Sequence, residues 1–323
     1  MRFDLTTLNV VLAIADTRSI THGAQREHLA LAAASKRLSD LESRFGVPLF
    51  ERRARGVEPT EAGRALVRHI RSLNASLHAL ESEVAEFSHG ITGHLRIVSN
   101  TGGIAECLPP DLAAFCAAHP EVRISLEDLT STEVQAAVAE GRADVGVFAP
   151  PVQDARVTAW PYRGGELAVI VPAQHPLARR RAVCFADLLD LDIVGLHAGA
   201  AVQEQMRELA LAEGRTLKAR LQVRGFDAIA QLVEAGLGVA VMPAGPARRF
   251  AKVFAIRVLA LDEAWARRDY LLGVRTQEVL PTVLRRFVDA LCPDPRSPVA
   301  LATAADIRQS PTRRAPRRAK RTP

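Results

Sequence analysis

The 323-residue chain is poor in the groups that would mark a secreted, membrane-bound or catalytic protein. Its four cysteines, Cys107, Cys116, Cys184 and Cys292, lie far apart and form no Cys-x-x-Cys pair. That spacing argues for reduced thiols in a cytosolic protein and against a disulfide framework or a zinc site. Apolar runs are short and interrupted, well below the roughly 20 residues of a membrane span, and Met1 to Asp4 carries one basic and one acidic residue where a secretory leader would be basic and then apolar. There is no Gly-x-Ser-x-Gly elbow, His-Glu-x-x-His pair or Gly-x-x-x-x-Gly-Lys loop, and the nine histidines are scattered. Glu106, Glu127 and Asp128 read as surface or cap carboxylates, so no catalytic residue, metal or cofactor is expected. Aromatics make up only 5% of the chain, yet 48% is hydrophobic. A chain of this length and composition builds two or more soluble domains.

The net charge of +6 is local. From Asp294 to Pro323 there are eight basic residues, among them Arg313, Arg314, Arg317, Arg318, Lys320 and Arg321, against Asp294 and Asp306. This excess of six accounts for the whole net charge, and everything upstream is balanced. With five prolines among small residues, 294–323 reads as a disordered basic tail, either solvated without a role or adding non-specific phosphate affinity.

What the chain does have is a long seam. Leu66, Ile70, Leu73, Leu77, Leu80, Val84 and Phe87 are spaced alternately four and three. A lone core helix, with a period of about 3.6, drifts out of that register, whereas a coiled coil keeps it. Thr60 caps this helix and Glu61 lies in its first turn. The helix therefore divides a small part before it from a large part after it.

In the small part, Leu5, Leu8, Leu12 and Ala15 give a helix over about Thr6 to Asp16. Thr21 can cap a second helix reaching about His28, and a third, Leu31 to Arg44, sets Leu38, Leu41 and Phe45 on one face and shows Ser35, Lys36, Arg37 and Ser39. A helix-turn-helix has this layout, with a slim, donor-bearing third helix for the major groove. A three-helix packing unit without a DNA role has the same periodicity. After Gly46, the run through Arg52, Arg53 and Arg55 returns at Val57 to Pro59 as a hairpin wing, whose arginines can clamp phosphates.

The run from Leu38 to Arg52, with Phe45-Gly46-Val47-Pro48-Leu49-Phe50-Glu51-Arg52 at its end, followed by Thr60-Glu61-Ala62-Gly63, resembles the LysR-type transcriptional regulators. The resemblance implies a winged helix-turn-helix followed by a dimerising linker helix. It assigns DNA contacts to Thr21, Leu31, Ser35, Lys36, Arg37, Arg52, Arg53 and Arg55. One departure is Ala30-Leu31-Ala32-Ala33-Ala34, which puts Leu31 at the family's polar base-reading position. A leucine there can touch only an apolar feature such as a thymine methyl.

Gly90, Thr92 and Gly93 form a hinge, beyond which strands and helices alternate. The strands are Leu95 to Val98, Val122 to Leu126, Val145 to Phe148, Leu167 to Val171, Ile193 to Leu196, Leu221 to Val223, Val239 to Pro243 and Tyr270 to Val274. Helices fall at Ile104 to Ala118, Thr132 to Glu140, Val202 to Glu213, Asp227 to Ala235 and Val279 to Leu291. Alternation of this kind makes βαβ units with a parallel sheet. The half also resembles the LysR effector domain, which is similar to periplasmic binding proteins. The matching pieces include Gly141-Arg142-Ala143-Asp144-Val145, His175-Pro176-Leu177 and Val233-Glu234-Ala235-Gly236-Leu237-Gly238. The expected fold is thus α/β: a winged head (1–59), a linker and dimerisation helix (60–89), and a two-lobed effector domain (90–293). Lobe I covers about 94–162 and 269–292, and lobe II about 163–266.

Ligands in such sheets sit at the carboxyl ends of strands. Ser99, Asn100 and Thr101 leave the first strand for a helix N-terminus suited to an anion. Thr130 and Ser131, and from the other lobe His197, Gly199 and Phe226, are the corresponding loop positions. Ser and Thr after strands are equally ordinary helix caps. The reading is a cytoplasmic, DNA-associated, homo-oligomeric transcription factor. Its partners are operator DNA, a small effector, anionic if it sits at that helix N-terminus, a second copy (dimer or tetramer) and RNA polymerase if it activates; no membrane is expected. A cleft-containing binding protein or enzyme whose N-terminal helices only oligomerise, or an architectural DNA binder relying on the tail, are the alternatives.

Overall fold

The computed structural model describes residues 4–53, 56–89, 93–276, 280–292 and 298–299, with the side chains of 75, 78, 79 and 81–89 left out. The chain separates into two compact units that divide at Ser88.

In the first unit, helix α1 (Leu5–Thr17) starts where the Asp4 carboxylate accepts from the Thr6 N–H at 3.1 Å. Arg18 then takes a left-handed φ of 52° and Ser19 follows in extended backbone, so Ser19, not Thr21, caps α2 (Ile20–Arg26). Its hydroxyl accepts from the His22 N–H at 3.2 Å, and Thr21 lies exposed within the helix. Helix α3 (Leu31–Phe45) ends at Gly46, φ 70°, a left-handed position that glycine occupies without strain. Strands β1 (Phe50–Arg53) and β2 (Gly56–Pro59) pair antiparallel as the expected hairpin; Arg55 lies outside the described residues. The Glu42 carboxylate accepts from the N–H groups of Leu49 and Phe50, tying α3 to the hairpin.

Helix α4 (Glu61–His89) follows the hairpin. Thr60 caps it, accepting from the Gly63 N–H at 3.0 Å and donating to the Pro48 carbonyl at 2.8 Å. The head core joins Leu8, Val11, Ile14, Ala34, Leu38 and Leu41 to Leu49, Val57, Val67 and Ile70. The seam therefore needs correction at its start. Ile70 is only 2% exposed and Leu66 packs against the same cluster, so both are spent inside the head. Leu73 and Leu80, at 41% and 57% exposure, present apolar surface, and Leu77 is partly buried. The side chains of Val84 and Phe87 lie outside the described set.

The second unit opens with β3 (Gly93–Ser99); Gly90 and Thr92 of the expected hinge lie outside the described residues. The helix expected over Ile104 to Ala118 is two, α5 (Thr101–Glu106) and α6 (Leu108–Ala118). Pro109 and Pro110 have no N–H to continue the hydrogen-bond ladder of α5, so the chain restarts at Leu108. Then come β4 (Val122–Asp128), α7 (Ser131–Ala139), β5 (Val145–Phe148) and a 16-residue strand β6 (Val157–Pro172). After β7 (Ala182–Val183), β8 (Ile193–Leu196), α8 (Ala201–Ala212) and β9 (Ala219–Val223) follow. The chain closes with α9 (Phe226–Glu234), β10 (Ala240–Pro243), α10 (Ala244–Phe250), β11 (Ile256–Leu261), β12 (Arg267–Arg275) and α11 (Thr282–Leu291).

The sheet is mixed, not parallel. β4, β3 and β5 are parallel neighbours, but β12 inserts antiparallel between β5 and β6. The same β6 then pairs antiparallel with β10 and β11. One strand thus serves both lobes: Val157 to Glu166 faces β12 in lobe I, and Leu167 to Pro172 joins lobe II. Side-chain alternation sets the cores. Leu167, Val169 and Val171 enter one lobe II cluster, and Ala168 and Ile170 enter the cluster on the opposite face. In lobe I, Leu95 and Ile97 pack with Phe115 and Phe287, while Val98 joins Val134, Val138 and Phe148 on the other face.

The stretch expected to be disordered contains one ordered contact. Val299 donates its N–H to the Ala159 carbonyl at 2.7 Å and packs against the Val98 cluster, while 294–297 and 300–323 lie outside the described residues. No helix among the described residues is long and apolar enough to cross a membrane.

Candidate nucleic-acid interface and ligand cleft

Helix α3 buries Ala34, Leu38 and Leu41, spaced four and three, and this leaves Leu31, Ala32, Ala33, Lys36, Ser39, Asp40 and Ser43 facing outward. Leu31 is 48% exposed, a large apolar side chain unclaimed by the core at the helix's leading end. Ser35 is partly buried beside it. Lys36 is well exposed and pairs with Asp40 one turn on at 2.9 Å, a contact of little strength in water. Arg37 needs correction. Its guanidinium turns back to α1, donating to the Asp4 carboxylate at 2.5 Å and to the Thr7 hydroxyl at 2.8 Å, so it ties two helices together. Arg53 in the hairpin is paired with Glu51 at 2.8 Å and Glu58 at 3.5 Å, whereas Arg52 is exposed and makes no ion pair among the described residues. Ser39, expected on the exposed face, and Ser43, which sequence reasoning passed over, are donors on that face one and two turns on from Ser35, whereas Phe45, expected beside Leu38 and Leu41, is 37% exposed because it stands at the helix end beyond the head core.

The second unit holds a cleft between its lobes, at the ends of β3, β4 and β8. Asn100 organises the lobe I wall. Its side-chain oxygen accepts from the Gly103 N–H at 2.8 Å, and its amide donates to the Ser131 hydroxyl at 2.9 Å. That hydroxyl also accepts from the Ala149 N–H at 3.2 Å. The Thr101 hydroxyl meets both oxygens of Asp128 at 3.0 Å. Burial pushes the Asp128 carboxyl above its ordinary range, against the opposing pull of Thr101, His197 and Arg224. Asp128 is therefore the acidic neighbour of His197 that the sequence does not reveal. His197 approaches from lobe II, its ring Nδ1 lying 3.0 Å from the Ala198 carbonyl, and Phe226 closes the apolar side.

Six of the eight expected positions, Asn100, Thr101, Thr130, Ser131, His197 and Phe226, line the cavity. Ser99 does not. It is fully buried, and its hydroxyl donates to the Asn100 carbonyl at 3.0 Å. Gly199 is also absent from the lining; with φ 87° its backbone N–H donates to Glu204. A Cβ there would lie 3.2 Å from the Thr130 methyl.

Two lining residues lie on an element that sequence reasoning began too late. Arg268 and Tyr270, two apart on β12, share one face of the strand and both reach the cavity. The Tyr270 hydroxyl lies against Gly102, where a Cβ would meet it at 2.6 Å, and burial pushes its pKa up. The partly buried Arg268 guanidinium donates to the Gln205 side-chain oxygen, and burial pulls its pKa down. No carboxylate among the described residues forms an ion pair with it. The cavity measures about 40 Å³ and opens to solvent.

Comparison with known proteins gives concordant matches at both ends of the chain. Residues 5–64 match the bacterial regulatory helix-turn-helix protein, lysR family, and residues 88–293 match the LysR substrate binding domain. The RuBisCO operon transcriptional regulator of Allochromatium vinosum is 31% identical over 245 residues, covering 75% of this chain and 80% of that protein. Among solved structures, a full-length OxyR variant from Pseudomonas aeruginosa superposes with a TM-score of 0.67 at 20% identity, covering 90% of this chain and 94% of that one. CbnR complexed with its target DNA gives 0.53 at 21% identity, covering 90% and 98%. At such identities the two structures share the fold.

Proposed function

Because this chain belongs to the LysR family of bacterial transcriptional regulators, we propose that two copies join along the outward part of α4 and place two α3 helices in successive major grooves of an operator. Two-fold DNA sites call for two-fold proteins. In each head Lys36, Ser39 and Ser43 face the groove, Leu31 touches an apolar base feature, and Arg52 holds a phosphate. Arg37 and Arg53 support the head through their internal pairs. The cleft binds an effector and carries no catalytic step. The effector shifts the balance between two arrangements only by its differential affinity for them. The protein works in the cytoplasm on DNA and, if it activates, contacts RNA polymerase there.

The observation that carries this reading is the outer face of α3, which shows serines, Lys36 and an unburied Leu31, together with the exposed Arg52 on the hairpin that Glu42 ties to that helix. The test is fluorescence anisotropy with the protein's own upstream region against random DNA at moderate salt. Lys36→Ala and Arg52→Ala should each weaken binding and lower the salt slope by about 1, with unchanged melting of the head. Equal affinity for random DNA would remove the operator claim.

A further inference from the structure

We infer that Arg268 selects the effector of the cleft and that the effector is a small anion, a carboxylate or phosphate. The inference rests on the reading of the cleft as the effector site and adds the chemical class of its occupant. Arg268 lies at the start of β12, where the chain returns from lobe II to lobe I, and the register with β6 pairs it with Gly165. Period-two alternation sends Arg268 and Tyr270 to the cleft face, and Arg267 and Asp269 to the other. The guanidinium has one hydrogen-bond partner among the described residues, the neutral Gln205 side chain. It forms no ion pair there, whereas Arg96, Arg163 and many other arginines of the described chain each meet a carboxylate.

A cation withdrawn from water and held in no ion pair, with Asp269 acting on it only through space, is costly, and an entering anion relieves that cost where a neutral ligand does not. With one nitrogen engaged by Gln205, the rest of the planar fork is shaped for two oxygens of a single carboxylate or phosphate. The Tyr270 hydroxyl, on the same face, supplies a further donor. Asp128, the acid in the opposite wall, is held by Thr101 and faces His197, so it does not neutralise Arg268. The narrow cavity favours a compact effector.

The test uses full-length protein and titration calorimetry with four probes: inorganic phosphate, pyruvate, malonate and neutral glycerol. Arg268→Gln, Arg268→Lys and a cleft-filling Ala201→Trp are compared with wild type, each checked for an unchanged circular dichroism spectrum. At least one anion should bind wild type, and glycerol should not. Arg268→Gln should lose about 10- to 100-fold in anion affinity. Arg268→Lys, which keeps the charge without the fork, should lose less and reports on the same contact if the glutamine variant does not fold. Phosphate binding with no carboxylate binding, or the reverse, assigns the acid group. Undiminished anion affinity in Arg268→Gln, glycerol bound as tightly as the anions, or no anion binding at all would overturn the inference. If Ala201→Trp still abolishes binding while Arg268→Gln does not, the effector cleft stands and only the role of Arg268 falls.

Discussion

Two glycines in the head show why single residues there matter. A Cβ on Gly63 would meet the Leu49 carbonyl oxygen at 1.9 Å, and one on Gly23 would meet Ile14 at 2.7 Å. Helix α4 is thereby held against the hairpin, and α2 against α1. Gly63→Ala should destabilise the head by about 1–3 kcal/mol, the usual cost of overpacking, read as a lower melting temperature with weaker DNA binding. In the effector unit, desolvation raises the Glu106 carboxyl above its ordinary value, against the Gly245 N–H and the nearby Arg249 and Arg248. The folded protein therefore holds this proton to higher pH than the unfolded chain. Its contribution is favourable at low pH and is lost as pH rises through the window above 4.5. Denaturant melts of Glu106→Gln should gain stability relative to wild type as pH rises from 4.5 toward neutrality, and a flat difference would show that the carboxyl does not titrate there.

At the level of elements, α4 changes its task along its length. Val67 and Ile70 belong to the head core, whereas Leu73 and Leu80 are exposed on the outward part. Ile70→Ala should therefore cost about 2–5 kcal/mol of head stability. Glutamates at Leu73 and Leu77 should leave head melting unchanged, while light scattering shows the oligomer dissociating and operator binding falls with it. The seven-residue seam was legible in the sequence because its period was regular, yet period alone does not tell a head's own core from a partner's surface. The same limit applies elsewhere. Buried runs such as Val145 to Phe148 and Ile193 to Leu196 were readable as strands. The first half of β6, carrying Pro161, Gly164 and Gly165, was not, and neither was the polar start of β12 with Arg267, Arg268 and Asp269. The cleft loops followed from strand ends. Arg268 was hidden because its role depends on β12 lying beside β6, a long-range pairing without a local signal.

For the molecule as a whole, charge is divided unevenly: the chain up to Pro293 is neutral in sum, and the segment after it carries the excess. Removing that segment should lower affinity for random DNA and flatten its salt dependence while operator selectivity persists. The removal also takes away the Val299 contact with Ala159, so the melting of the effector unit is the accompanying control. The placement of β12 between β5 and β6 reaches further. Those two strands emerge from the ribosome one after the other, but the sheet position between them is filled by residues made only after all of lobe II. Lobe II is thus an insertion synthesised and able to collapse while lobe I waits open. A chain stopped before Arg267 should expose the lobe I core to protease however well lobe II has formed. The ligand cleft, with Arg268 in its wall, comes into being only at that last closure, so no partly made copy of this regulator can answer its effector.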